Sequence, residues 1–237
     1  MSANGRTFDA IVVGAGHNGL TAAAYLARAG RRVCVLERRP LVGGACVTEE
    51  LWPGQRVSRA SYVVSMLQPK VVAELRLREF GYEPIPLEPP FATFAGDGRP
   101  LLFHSDPAAM RAGLARLSPR DADAFGAFEA LLARTAEFLR PRMLRPPPAL
   151  GSRRPGDLLD LLREAGRAAG LGRRDVHDLY RLMTMSVGDL MDEWFEDDAL
   201  KGAYASTGVV GVWAGPRTPG PAQVQACLLY TSDAADD

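Results

Sequence analysis

The segment FDAIVVGAGHNGLTAAAYLARAGRRVCVLER, residues 8–38, constrains the fold more than any other part of this chain. An apolar run from Ala10 to Val13 enters the glycine loop Gly14-Ala15-Gly16-His17-Asn18-Gly19. A small-residue amphipathic stretch follows to Ala29, and a second apolar run, Val33 to Leu36, closes on Glu37. Apolar run, glycine loop, helical period and apolar run make a β-α-β unit with the spacing of a dinucleotide fingerprint. Gly14 permits the sharp exit from the strand, Gly16 lets backbone approach a pyrophosphate, and Gly19 lets the helix lie close on the sheet. The free N–H groups and the positive dipole at the helix start favour phosphate. Glu37, 23 residues after Gly14, is placed to accept hydrogen bonds from the two ribose hydroxyls of an adenosine. Together these features predict a site for an ADP moiety.

The rest of the composition narrows the class. In 237 residues, 47% are hydrophobic, enough for a sizeable core, and 28 basic side chains balance 28 acidic ones. No overall charge argues for nucleic acid or an anionic surface as partner. The three cysteines, Cys34, Cys46 and Cys227, form no close-spaced pair, which argues against a disulfide scaffold, a zinc site or a redox dithiol. No run of apolar residues reaches the length of a membrane span. With a first strand expected by about residue 8, no secretory signal is expected, and the default location is cytoplasmic.

Beyond Glu37, the loop Arg39-Pro40-Leu41-Val42-Gly43-Gly44-Ala45 carries paired glycines. Leu51 to Leu67 mixes turn signals with short β-like runs. Pro69 opens an expected helix to Phe80, stopped by Gly81, and Tyr82 to Leu87 reads as a strand. Phe91 to Ala95 and Pro100 to His104 flank Gly96-Asp97-Gly98-Arg99, a hairpin signal. From Asp106 the pattern turns helical. Ser118-Pro119-Arg120-Asp121 reads as a capped start, with Phe125, Phe128, Leu131, Leu132, Ala136 and Leu139 in one apolar stripe. Pro141 to Pro155 reads as an exposed connection. Helices are expected over 156–169, 174–186 and 187–195 running toward Tyr204, then a Gly/Pro-rich loop over 209–221. The last eleven residues, CLLYTSDAADD, resemble the translation of a transposon adapter used in sequencing libraries. The expectation is therefore a natural sequence stopping near Ala226 and a chain that is the N-terminal piece of a longer protein. Its domains are then 1–68, the first part of a nucleotide-binding domain, and 69–226, the start of a substrate or cap region, with 227–237 not native.

The run GAGHNGL, the run LERRPLVGGACVTEELWPGQRVSRASYVVSML and the run DEWFEDDALKGAYASTGVVGVWAGPRTPG together resemble the phytoene-dehydrogenase-like FAD oxidoreductases, within the wider amine-oxidase and desaturase superfamily. Within that family the likeness is to the branch that contains pyridine nucleotide-disulfide oxidoreductase domain-containing protein two, and it covers about Phe8 to Ala226. The glycine doublet just past the ribose-binding acid agrees with it, since an extended flavin dinucleotide needs a second close backbone approach. The resemblance implies an α/β fold: a Rossmann-like FAD-binding domain of glutathione-reductase type, then a hairpin and a mostly helical substrate region. It implies that Gly14, Gly16 and Gly19 contact the FAD pyrophosphate, with the backbone of Ala15 and with Asn18 in the same loop. Glu37 then holds the adenosine ribose and Arg38 lies beside the adenine. Gly43, Gly44 and Ala45 line the pyrophosphate and ribityl chain, and residues around Ser58 to Ser61 approach the isoalloxazine or substrate channel. The second flavin motif, which this family carries near its C-terminus, has no counterpart here. No catalytic residue can be named, and no thiol–disulfide exchange is expected.

The implied activity is hydride removal from an apolar organic small molecule, with weak FAD binding and little turnover expected of this piece alone. A non-redox flavin isomerase and a non-enzymatic binding protein on the same scaffold are the alternatives. Other conspicuous residues carry less. His17 reads as a structural loop residue and Cys46 as a small thiol near the cofactor. His104 and His177 lack ligand spacing. Trp194, Phe195 and Trp213 suit either a channel or a core. Asp192, Glu193, Glu196, Asp197 and Asp198 read as a solvated helix end rather than a metal site. The Arg-rich stretch 140–154 lacks the interleaved aromatics of a nucleic-acid surface.

Overall fold

The structure, a computed structural model, describes residues 7–61, 63–64, 66–147 and 151–232. It divides into two compact units, Met1–Pro84 and Ile85–Asp237.

The first unit is built on β1 (Ala10–Val13), α1 (His17–Arg28) and β2 (Val33–Leu36). The strands pair in parallel, Ala10 opposite Val33 through Val13 opposite Leu36, with α1 as the crossover. The alanines of α1 let the helix sit close to the strands, and Ala23 is buried. Gly30, at φ 76°, ends the helix, its amide donating to the Ala27 carbonyl and that of Arg31 to Leu26. Arg32 is clamped to Asp9 by side-chain and backbone donors at 2.8 Å, which sets the register where the strands begin. A hairpin of β3 (Thr48–Trp52) and β4 (Gln55–Ser58) follows, turning through Pro53-Gly54, where the Gly54 amide donates to Glu50 at 2.8 Å.

The helix expected over 69–80 is broken. α2 covers only Pro69–Glu74, Arg76 sits at φ 53°, and a separate 3-10 turn runs Leu77–Phe80 to the expected stop at Gly81. Arg28 donates to the Glu74 carbonyl, the acceptor that the next helical turn would need, while Tyr25 donates to the Glu74 carboxylate at 2.6 Å. Docking on α1 thus ends α2 early. Tyr82–Leu87 forms no strand.

The second unit opens with the expected hairpin, β5 (Phe91–Phe94) against β6 (Pro100–Phe103). Helices follow: α3 (Pro107–Ala115), α4 (Pro119–Met143), α5 (Pro155–Ala169), α6 (Arg173–Thr184), α7 (Val187–Trp194), α8 (Asp198–Gly208) and α9 (Gln223–Ser232). Side-chain oxygens cap four of them, Asp106, Ser118, Ser186 and Asp197, each accepting an amide three residues on. α4 is the spine. Its predicted stripe buries Phe128, Leu131 and Leu132 in one cluster with Met110, Leu114, Leu182, Met191 and Leu200, and Ala136 is buried too. The helix also runs two residues past Pro141, where the exposed connection was expected to begin, since a proline in the last turn forfeits only one backbone bond. Phe128 meets the rings of Trp194, Phe195 and Tyr204 at centroid distances of 5.0–5.5 Å. Trp194 and Phe195 are therefore core residues, whereas Trp213 is fully exposed. α9 takes in Cys227 to Ser232 of the adapter-like segment, packs on α4 and α8, and buries Ala226; residues 233–237 lie outside the described residues.

The expected class holds: an α/β, Rossmann-like start, then a hairpin and a mostly helical region. Burial differs sharply between the units. In the first, Ala15, Ala23 and Val47 are the only buried hydrophobics among the described residues. Val13 is 84% exposed, Ile11 59% and Leu36 52%, on a parallel pair of a kind that elsewhere has both faces covered.

Candidate functional site

The residues assigned from sequence to the pyrophosphate, ribose and ribityl contacts lie on the glycine loop with the first turn of α1 and on segment 37–45, and the fold brings these together. β1 ends at Val13, and Gly14 turns at φ 97° with its amide donating to the Leu36 carbonyl at 2.7 Å. Gly16, extended at φ −75°, ψ 172°, is the N-cap of α1 and has no side chain to cap it. The first helical bond runs from Leu20 to the Gly16 carbonyl, so the amides of His17, Asn18 and Gly19 precede it, and the first turn holds no acidic side chain. A 12-residue helix that starts this way presents amides and a positive dipole end suited to an anion.

The close approaches are measurable. A Cβ on Gly19 would lie 2.1 Å from the Gly14 carbonyl oxygen, so only glycine allows the loop to fold back on the helix. The doublet arrives from the other side. The Gly43 amide donates to the Ala15 carbonyl at 2.7 Å, and Gly43 pairs with Gly16 as a parallel bridge. Gly44, at φ 60°, passes so near that a Cβ would sit 2.8 Å from the Gly16 Cα. Two glycine segments almost thirty residues apart in the chain thus form one backbone-walled cradle. Ala15 is buried beneath it, while Asn18, Arg38 and Ala45 are exposed around it.

Glu37 ties the cradle from the end of β2. One carboxylate oxygen accepts the Ala15 amide at 2.8 Å and the other accepts that of Arg39 at 2.9 Å. These backbone donors, Arg39 first and then Ala15, hold its carboxyl below the ordinary glutamate value. A carboxylate offers about four lone pairs, so each oxygen keeps one for a diol. In this structure the side chain is held in place by the very loop whose ligand it would share.

Two contacts were not read from the sequence. Glu49 of β3 pairs with Arg39 at 2.5 Å and Arg59 at 3.3 Å, fixing the glycine-doublet loop to the hairpin. Cys46, just past the doublet, places its sulfur 3.6 Å from Nδ1 of His17, so the two loops also meet through side chains. Neither was readable from spacing, because both are contacts across loops. Ser58, assigned to the isoalloxazine or substrate channel, donates to the Ser61 carbonyl at 2.6 Å and is exposed.

The acidic cluster and the two other histidines have partners of their own. Among the acidic cluster, Asp192 pairs with Arg217 and Lys201, Glu193 with Arg181, and Asp198 with Lys201. The Glu196 and Asp197 amides donate to the fully buried Asp121 at 2.9 and 2.8 Å. His104 meets Glu88 at 2.8 Å and His177 lies 3.7 Å from Asp178. Among the described residues no three His, Cys, Asp or Glu side chains converge as metal ligands, and no helix is long and apolar enough to cross a membrane.

Comparison with known proteins agrees with this geometry. Residues 12–74 match the family described as an NAD(P)-binding Rossmann-like domain. The chain is 36% identical over 234 residues to the rat pyridine nucleotide-disulfide oxidoreductase domain-containing protein 2, covering 92% of this chain and 40% of that protein. A limonene dehydrogenase component from Castellaniella defragrans is 39% identical over 117 residues, 49% of this chain and 21% of its own length. A redesigned putrescine oxidase, a triple mutant made to alter cofactor binding, has a similar fold at TM-score 0.55 and 17% identity, over 95% of this chain and 44% of that one. Residues 12–74 therefore form a Rossmann-like domain, and the chain is homologous to the rat protein and spans about two-fifths of its length.

Proposed function

We propose that this chain is the dinucleotide-holding portion of an FAD-dependent oxidoreductase acting on an apolar organic small molecule. The observation that carries the reading is the backbone pairing of the Gly43-Gly44 loop with Gly16 and Ala15. A single glycine loop at a helix start serves any dinucleotide. A second backbone wall, so close that a Cβ on Gly44 would lie 2.8 Å from Gly16, suits the long diphosphate and ribityl chain of a flavin nucleotide.

The residues present fit that group. The amides of His17, Asn18 and Gly19 would receive a phosphate, and Gly43 and Gly44 would line the second side. Glu37 would accept the ribose hydroxyls with its two remaining lone pairs, and the exposed Arg38 would lie against the adenine. When bound, FAD supplies the hydride acceptor; the protein's share is to hold, orient and keep dry. Glu37 is ionised at neutral pH, and the two amides that point at it hold its carboxyl lower still, so it grips a neutral diol without taking up a proton. Arg39 pairs with Glu49, which anchors the doublet loop. The apolar character of the substrate rests on the likeness to a protein named limonene dehydrogenase, and the choice of C–H or C–N bond stays with the whole protein.

The test is a titration of the purified chain with FAD, followed by flavin fluorescence, beside NADH as competitor. Saturable quenching by FAD that NADH does not displace is expected, together with weak retention by this chain and a yellow polypeptide at the relatives' full length. A full-length polypeptide that stays colourless after FAD reconstitution but binds NADH would make the site a nicotinamide one and sink the flavin reading.

A further inference from the structure

We propose that α5 and α6, two consecutive helices, form a membrane-docking surface that rests on anionic lipid headgroups without crossing the bilayer. The two helices are joined by only three residues, Gly170–Gly172, and each turns its polar side toward α4. On α5, Glu164 pairs with Arg142 at 2.6 Å, and Arg167 donates to the Phe138 carbonyl at 2.8 Å. On α6, Asp175 and Asp178 lie 3.6 and 3.5 Å from Arg134. A cleft of ≈ 400 Å³ lies along this seam, lined by Arg134, Arg167, Asp175 and Asp178 together with Leu131 and Phe138.

The opposite sides are apolar and uncovered. On α5 they are Leu158, Leu159 and Leu162, the last 69% exposed; on α6 they are Val176, Tyr180 and Met183, with Tyr180 at 67%. Residues one turn apart share a face, so each helix offers a stripe rather than scattered apolar side chains. In a monomer such stripes mark interaction surfaces.

The charge around them selects the occupant. From Arg140 to Thr184 there are ten arginines and no lysine against five carboxylates, five net positive charges in a chain whose total is zero. Among the described residues, Arg145, Arg153, Arg154 and Arg173 have no ion-pair partner; they stand just past α4, just before α5 and at the start of α6. Leucine stripes beside unpaired arginines, with no helix long enough to span, are the chemistry of an interfacial helix on anionic lipid. Nucleic acid would use the arginines but leave the leucines in water.

Co-sedimentation of the chain with vesicles tests this. Vesicles of phosphatidylcholine and phosphatidylglycerol in equal parts should bind it roughly tenfold more strongly than phosphatidylcholine alone, and salt should erase the difference. The double change Leu158→Ser and Leu162→Ser should lower binding to the anionic vesicles with circular dichroism unaltered, since both side chains are already exposed. Arg153→Gln with Arg154→Gln should lower only the anionic preference. Equal or absent binding to the two vesicle types would overturn the proposal. So would a concentration-dependent dimer that Leu162→Ser dissociates without any vesicle binding, which would assign the stripe to a second copy. Loss of vesicle binding in a polypeptide of the relatives' full length would overturn it too, by assigning the stripe to the rest of that chain.

Discussion

At Gly44 a single hydrogen atom in place of a methyl group decides whether two loops can meet. Its φ of 60° and the 2.8 Å separation between a would-be Cβ and the Gly16 Cα leave alanine nowhere to go, because the obstacle is backbone. Gly44→Ala carries about 1 kcal/mol of left-handed strain and a further clash of about 1–3 kcal/mol. FAD affinity should fall at least tenfold, roughly, in a fluorescence titration, while the helical unit keeps its circular dichroism. Glu37 makes a second prediction. Its folded value lies below the ordinary glutamate one, so the loop closure it provides is complete above the unfolded value near 4.5 and disappears as pH falls through the folded value. Dinucleotide affinity should decline as pH drops below about 4.5. Glu37→Gln should bind about tenfold more weakly at neutral pH and lack that acid limb. An unchanged affinity profile in the variant would remove Glu37 from the site.

At the scale of elements, sequence patterns succeeded where the deciding forces were local and stopped where a neighbour intervened. The β1-α1-β2 unit, the β5-β6 hairpin and the start of α4 follow from apolar period, turn residues and caps within each segment. The break of α2 does not, because Arg28 takes the Glu74 carbonyl from a different element. The strand expected at Tyr82–Leu87 fails for a like reason: a strand exists only with a partner, and none lies beside it among the described residues. Asp121 shows how strongly such contacts bind elements. It is fully buried at the first turn of α4, and both oxygens receive amides from the α7–α8 connection. Asp121→Ala would leave two part-buried amides without their acceptor, at up to about 1–3 kcal/mol each, and denaturant titration should show a loss of stability. Asp9 offers an acid test at the base of β1. Arg32 holds its carboxyl at about 2, down from 3.8, so the clamp is intact above 3.8 and fails as pH falls through about 2. Amide exchange at the β1–β2 pairing should accelerate over that interval, and Asp9→Asn should abolish the dependence.

For the whole molecule, the two units hold together by different means. Ile85–Asp237 has a continuous aromatic and aliphatic core around Phe128, and Phe128→Ala should cost about 3–5 kcal/mol. Met1–Pro84 buries very little and is organised by backbone pairing, glycine contacts and exposed ion pairs such as Asp9–Arg32. Exposed pairs contribute little, so thermal unfolding should show two transitions, with flavin-binding competence lost in the lower one; a single coincident transition would contradict this. What the sequence determined by itself was the dinucleotide fingerprint, since glycine spacing, strand period and a terminal acid act within a span of about thirty residues. It also determined the helical stripe of α4, which is a matter of period. Only the tertiary structure decided that Gly43-Gly44 seals against Gly16, that Glu37 is already held by the Ala15 amide, and that α5 keeps its leucines uncovered. Those outcomes depend on which surfaces come within hydrogen-bonding or van der Waals distance, and no local pattern encodes distance between segments far apart in the chain.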